Sequence, residues 1–236
     1  MHHSNNDQNK IADIDEVKKF LSEIDFHGYQ PLELPYGLKT PGMDRSKSAD
    51  FVFTYSIKNK SVLDVGCKYG YFCHEALLRG ANKVTGIEIN NENVKIARKI
   101  VELWNRDIEI QCKDFMDINS SEKYDVVLFL NILHHILNPI ESIDHLTKIT
   151  REMMIVEFST LLDVQTNFSN IQRFLLKTFF KKTSLAYIGS KEYHRIWYFS
   201  KKSFMNLYVD QMKLFKKIEF VKSPRKKGRL IAFCWK

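Results

Sequence analysis

The run Asp64-Val65-Gly66-Cys67-Lys68-Tyr69-Gly70 couples an acidic residue to two glycines where an apolar segment gives way to an amphipathic one. Glycine permits a tight turn and lets a ligand approach the main chain. A helix starting just beyond offers free N–H groups to a carboxylate or phosphate. Glu88 follows 22 residues after Gly66. At the end of a second strand it could accept from both hydroxyls of a ribose. Asp114 and Phe115 follow a third strand-like segment, where the carboxylate could accept from an adenine amino group and the ring could pack on the base. His134 and His135 come just after a fourth apolar run. An imidazole titrates near neutral pH and can take a proton from a hydroxyl. Side chains of adjacent residues seldom point the same way, so one histidine should face a substrate, with His135 preferred over His134. Glu157, ending a fifth strand, is a second candidate base or substrate anchor, or a salt-bridge partner.

The elements needed to hold these groups alternate. Residues 61–66, 83–89, 108–112, 124–130 and 153–158 are apolar and strand-like. Between them, 69–79, 91–104 and the segment after Asn138 have helical periodicity. The last begins with Asn138 as N-cap, Pro139 at the first position and Glu141 at the third, a capping-box-like start. Continuous apolar strands alternating with helices predict a parallel sheet covered on both faces. Ligands of such sheets collect at the carboxyl ends of the strands. Residues 11–27 predict a helix, 28–48 a Pro/Gly loop, and 49–58 a helix leading into the core. Residues 159–199 break the rhythm and predict a lid. Ser200 opens a further helix to about Leu214, and 215–236 predict a β-hairpin. The expected divisions are 1–60, a covering N-terminal segment; 61–158, the core; 159–199, the lid; and 200–236, a helix and hairpin completing the sheet.

The spacing Gly66-x-x-x-Gly70 does not satisfy the G-x-G-x-x-G of dinucleotide sites. Asp64 to Gly70, Gly86-Ile87-Glu88, Lys113-Asp114-Phe115 and Asn131-Ile132-Leu133-His134-His135 instead resemble the successive motifs of class I S-adenosylmethionine (SAM)-dependent methyltransferases. The resemblance covers residues 60–160 and, in outline, the terminal hairpin. It implies an α/β, Rossmann-like, seven-stranded sheet with its last strand antiparallel. It implies SAM as cofactor, with Asp64, Gly66 and Gly70 around the methionine part, Cys67, Lys68 and Tyr69 in the same loop, Glu88 at the ribose with Ile89 beside it, Asp114 and Phe115 at the adenine, and Asn131 at the edge. Lys68 departs from the family pattern, standing where a middle glycine is usual. Leu38-Lys39-Thr40-Pro41-Gly42 together with Asn131–Pro139 resembles the branch containing the tRNA wobble-uridine carboxymethyltransferase and many sugar and small-molecule O-methyltransferases.

These features point to an O-methyltransferase acting on a sugar, a glycan precursor or another small metabolite. The alternatives are a tRNA-modifying enzyme and a non-catalytic SAM-binding subunit. Arg45, His194, Arg195 and Trp197 are candidate acceptor-site residues. Arg45 could instead meet the SAM carboxylate. The net charge of +8 favours anionic partners without specifying one. The run Arg225-Lys226-Lys227-Gly228-Arg229 reads as a solvated turn, the alternative being a phosphate-tracking patch joined by Lys213, Lys216, Lys217 and Lys222. Residues 174–182 could lie on a membrane surface, although a lid helix fits the same pattern. The four cysteines form no CxxC pair and no zinc spacing, so no metal and reduced, cytoplasmic thiols are expected. No apolar run is long enough to span a bilayer.

Overall fold

The computed structural model describes residues 11–26, 31–160, 185–187, 197–224 and 228–236. A seven-stranded sheet forms its centre. The strands are β1 (Ser61–Val65), β2 (Lys83–Glu88), β3 (Glu109–Cys112), β4 (Tyr124–Leu130), β5 (Thr150–Ser159), β8 (Lys217–Lys222) and β9 (Arg229–Trp235). Their spatial order is β3-β2-β1-β4-β5-β9-β8. Strands β1 to β5 pair in parallel, and β9 is antiparallel to both β5 and β8. A separate pair, β6 (Leu185–Tyr187) and β7 (Trp197–Phe199), is antiparallel.

All five residues of β1 are buried, as expected of a central strand covered on both faces. Its side chains alternate between two cores. Val62 joins the cluster under α1 (Ile14–Glu23), α2 (Ser46–Val52), α3 (Tyr71–Leu78) and α4 (Asn91–Trp104). Leu63 and Val65 join the other, under α5 (Pro139–Ile149) and α6 (Lys201–Met205). In that second core Phe158 stacks on Phe204, centroids 4.8 Å apart.

Local chemistry explains the helix limits. The Asn90 side chain accepts from the N–H groups of Glu92 and Asn93 at the start of α4, and Asn105 ends that helix in the left-handed region. Asn138 and Glu141 bond reciprocally at the start of α5. Ser200 and Ser203 form a capping box. The helix expected over 49–58 starts earlier and stops sooner. Asp44 accepts from the Ser46 N–H, opening the helix at Ser46, and the Thr54 hydroxyl donates to the Phe51 carbonyl beyond its end. The helix expected to reach Leu214 is regular only to Met205. A π-helical stretch, Asn206–Gln211, follows. Most of the expected lid lies outside the described residues, as do residues 174–182.

Candidate functional site

Three left-handed backbone positions shape the loop after β1: Gly66 at φ +68°, Lys68 at +51° and Gly70 at +84°. Only one is unusual for its residue type. A non-glycine residue in this region costs about 1–3 kcal/mol and clusters at functional sites. The loop is strapped to β2, since the N–H groups of Gly66 and Cys67 both donate to the Ile87 carbonyl, at 2.7 and 3.0 Å. Gly70 then precedes the first turn of α3. The Lys68 ammonium lies 4.9 Å from the Tyr69 ring centre. Burial pulls its pKa down, and the Glu88 charge opposes that shift. Tyr69 is itself buried, edge-on to Phe26.

Glu88 links two loops. Its Oε2 accepts from the Lys68 N–H at 3.0 Å and its Oε1 from the Asn90 N–H at 2.9 Å. A carboxylate oriented by two amides at the end of β2 is suited to receive a diol. Ile89 is exposed beside it, a large apolar side chain available to cover a flat ring. Asp114 Oδ1 accepts from the Met116 N–H and caps a short 3-10 turn, Phe115–Asp117. The Phe115 ring tilts against Phe129, 5.6 Å between centres.

Asp64 sits behind the loop. It is buried and receives the Cys73 thiol at 3.6 Å. Burial pushes its pKa up to about 7, with the Glu88 charge adding to the rise. Cys67 and Cys73 are also buried. A Cβ on Gly86 would lie 2.8 Å from each of their sulfurs, so glycine is required there for the loop and α3 to close on β2.

The opposite wall is built from the ends of β4 and β5. Asn131 adopts φ +63°. Its N–H donates to the Glu157 carbonyl at 3.1 Å, and its Nδ2 donates to Glu157 Oε2 at 2.5 Å. Glu157 Oε1 accepts from the Ser223 hydroxyl. Arg45 meets Glu157 Oε2 at 3.7 Å, both side chains 2% exposed. Arg229 donates to Asn131 Oδ1. Glu157 is thus enclosed by groups from three segments, with Arg229 tied to it through Asn131.

The placement of Arg229 corrects the reading of 225–229 as one solvated run. Arg229 is buried as the first residue of β9, while 225–227 lie outside the described residues. Charge and turn composition are visible in a sequence, but the inward direction of one arginine is set by β-pairing. Ser223 carried no motif that would single it out, and Arg229 stood out only as the end of a basic run.

A 3-10 turn, Leu133–His135, follows Asn131. His134 is buried and His135 exposed, with ring centres 4.2 Å apart. The Trp197 indole donates to the Leu137 carbonyl at 3.3 Å, which brings β7 against this turn. His194 and Arg195 lie outside the described residues. Among the described residues no group of three or more His, Cys, Asp or Glu side chains is arranged to hold a metal ion, and no helix is long and apolar enough to cross a membrane.

The residues around the loop fit SAM. Gly66 leaves main chain exposed where a Cβ would collide with Ile132, Glu88 is oriented for a diol, and Ile89 and Phe115 supply apolar surface at the ends of β2 and β3. The sheet order, its single reversed strand and this cradle define a class I SAM-dependent methyltransferase fold. A family model described as a methyltransferase domain matches residues 44–208, and the chain belongs to that family.

Among curated relatives, the ubiquinone biosynthesis O-methyltransferase of Actinobacillus pleuropneumoniae is 32% identical over 108 residues, covering 43% of this chain and 46% of that protein. The mitochondrial ubiquinone biosynthesis O-methyltransferase of Dictyostelium discoideum is 28% identical over 116 residues, covering 44% and 36%. The chain therefore spans less than half the length of these relatives. Among solved structures, the N-terminal domain of EvdMO1 in the presence of S-adenosylhomocysteine (SAH) and D-fucose superposes with a TM-score of 0.65 at 14% identity, covering 95% of this chain and 96% of that one. Magnesium protoporphyrin IX methyltransferase from Synechocystis PCC 6803 with bound SAH gives 0.56 at 19% identity, covering 81% and 80%. These likenesses concern the fold.

Proposed function

We propose that the protein transfers the methyl group of SAM to a hydroxyl oxygen of a small acceptor, a sugar or glycan precursor being the preferred class. The observation that carries this reading is the Asn131–His135 turn. It places an exposed imidazole after β4, on the segment whose Ile132 abuts Gly66 of the cofactor loop. Relatives named for O-methylation in ubiquinone biosynthesis, and a structural neighbour studied with D-fucose, support a small hydroxylic acceptor.

Bound SAM supplies an electrophilic methyl on a sulfonium. Glu88 would hold the ribose hydroxyls, Asp114 and Phe115 would receive the adenine with Ile89 beside it, and the main chain of Gly66, Cys67, Lys68 and Gly70 would cradle the amino-acid end, with Asp64 and Tyr69 supporting that loop from behind. His135, exposed beside the cofactor loop, would accept the proton of the acceptor hydroxyl. His134 packs behind it. Much of the rate enhancement is positioning, with reacting atoms about 3–3.5 Å apart. Glu157 positions Asn131 and Arg45 from within the fold. Trp197, packed against the histidine turn, walls the acceptor side.

The test uses methyl-labelled SAM, purified protein and cell extract, with Glu88→Ala as control. Label in sugar, glycan or small-metabolite fractions, resistant to ribonuclease and lost in the control, is the expected result. Ribonuclease-sensitive label would replace this reading with tRNA modification. Cofactor binding without transfer to any fraction would leave a non-catalytic subunit.

A further inference from the structure

The amino ends of the parallel strands, remote from the cofactor loop, carry a second concave feature. A groove of about 630 Å³ is lined by Arg151, Val209, Lys213, Leu214, Phe215, Lys216 and Lys236. Four of these seven residues are cationic and none is acidic. All four cations are exposed, whereas Phe215 is buried in the floor.

The fold accounts for only some of this charge. The Lys236 ammonium donates to the Thr147 carbonyl at 2.9 Å, and nearby Lys123 donates to the Lys148 carbonyl, both at the carboxyl end of α5, where cations are favoured. Arg151 pairs with Asp125 at 3.2 Å, and Lys148 with Asp144 at 2.8 Å. Among the described residues no carboxylate lies within 4.0 Å of the Lys213, Lys216 or Lys236 ammonium. Burial and the Lys123 and Lys216 charges depress the Lys236 pKa, with Asp144 opposing. Lys213 also holds its backbone at φ +54°, where glycine or asparagine is the usual occupant. Cations are therefore gathered against their mutual repulsion on a concave surface, and an anion filling it would relieve that repulsion.

We propose that this groove binds the phosphodiester backbone of RNA. Several cations spread along a concavity suit a chain of phosphates better than one isolated anion. A concave surface suits a convex backbone better than a planar bilayer. Among the described residues no exposed aromatic side chain lines the groove, and recognition there is by charge and independent of sequence. Glu157 lies six positions beyond Arg151 along β5. At a rise of ~3.3 Å per residue the groove lies about 20 Å from the methyl-transfer end. Binding here stands apart from the identity of the acceptor.

The test is fluorescence anisotropy of the whole chain with a short labelled single-stranded RNA, titrated across salt concentrations. A Lys213→Glu/Lys216→Glu double variant is compared with Lys18→Glu/Lys19→Glu, which changes net charge equally on exposed residues of α1. The groove variant is expected to bind at least tenfold more weakly at low salt. Its slope of log affinity against log salt should be shallower by about one unit per lysine. The α1 variant should stay within threefold of the parent, and both should keep the parent's melting temperature. Equal weakening by the two variants would reduce the effect to net charge and overturn the proposal. RNA binding unaffected by the groove variant would do the same. A third arm uses anionic phospholipid vesicles. Groove-dependent binding to these without binding to RNA would replace the proposal with a membrane surface.

Discussion

Gly66 and Ile132 meet across the mouth of the cofactor loop: a Cβ on Gly66 would lie 2.2 Å from Ile132 Cδ1. The loop after β1 and the turn after β4 are therefore in direct contact, and Gly66 is also at φ +68°. Gly66→Ala strains the backbone and obliges the Ile132 side chain to move. SAM affinity, measured by calorimetry, should fall at least tenfold, with a stability loss of about 1–3 kcal/mol in denaturant titration. Unchanged affinity would remove this loop from the cofactor site.

Arg45 and Glu157 form a pair in which both side chains are almost fully buried. Removing one partner strands the other in a poorly solvating interior. Glu157→Ala should therefore destabilise the fold by about 3–5 kcal/mol, while Arg45→Met/Glu157→Leu should recover part of that loss. A double variant as unstable as the sum of the two single variants would argue that the residues act separately. Because Asn131 also hangs on Glu157, turnover should fall in the milder Glu157→Gln variant, with SAM affinity largely kept.

Asp64 gives the stability a definite pH dependence. Its folded-state pKa, about 7, stands above its ordinary value of 3.8. Stabilisation from the protonated form is complete below the ordinary value and is lost as pH rises through about 7. His74 works the other way: burial, aided by Arg106, depresses its pKa to about 3 from 6.5, so its contribution is present above 6.5 and lost on acidification. The difference between parent and Asp64→Asn isolates the first effect. From pH 5 to pH 8 the variant should lose less stability than the parent in urea unfolding. Parallel curves would show that Asp64 is ionised throughout.

The two histidines differ in exposure, and their variants should differ in kind. His135→Ala should lower kcat by about 10²–10⁴-fold while leaving the melting temperature and SAM affinity near those of the parent. His134→Ala should mainly lower the melting temperature, since it opens a cavity beneath the turn. The reverse pattern would exchange their roles.

The order of strands and helices was legible in the sequence because the central strands are short, largely apolar runs and each intervening helix has a 3.6-residue period. The cap at Asn138, the turn glycines, and the acids after β2 and β3 could be read for the same reason: their roles depend on neighbours a few residues away. The early start of α2 at Ser46 was hidden because Asp44, which accepts from the Ser46 N–H, lies outside the apolar pattern. What tertiary structure decided involves groups far apart in the chain. Arg45, Asn131, Glu157, Ser223 and Arg229 come from separate segments and meet only because β4, β5 and β9 are adjacent in the sheet. The burial of Arg229, the exposure of His135 rather than His134, and the joining of Lys213 with Arg151 and Lys236 have the same origin. Side-chain direction on a strand or tight turn is set by pairing register and packing, and a linear pattern of residue types carries no information about which distant strand will lie alongside.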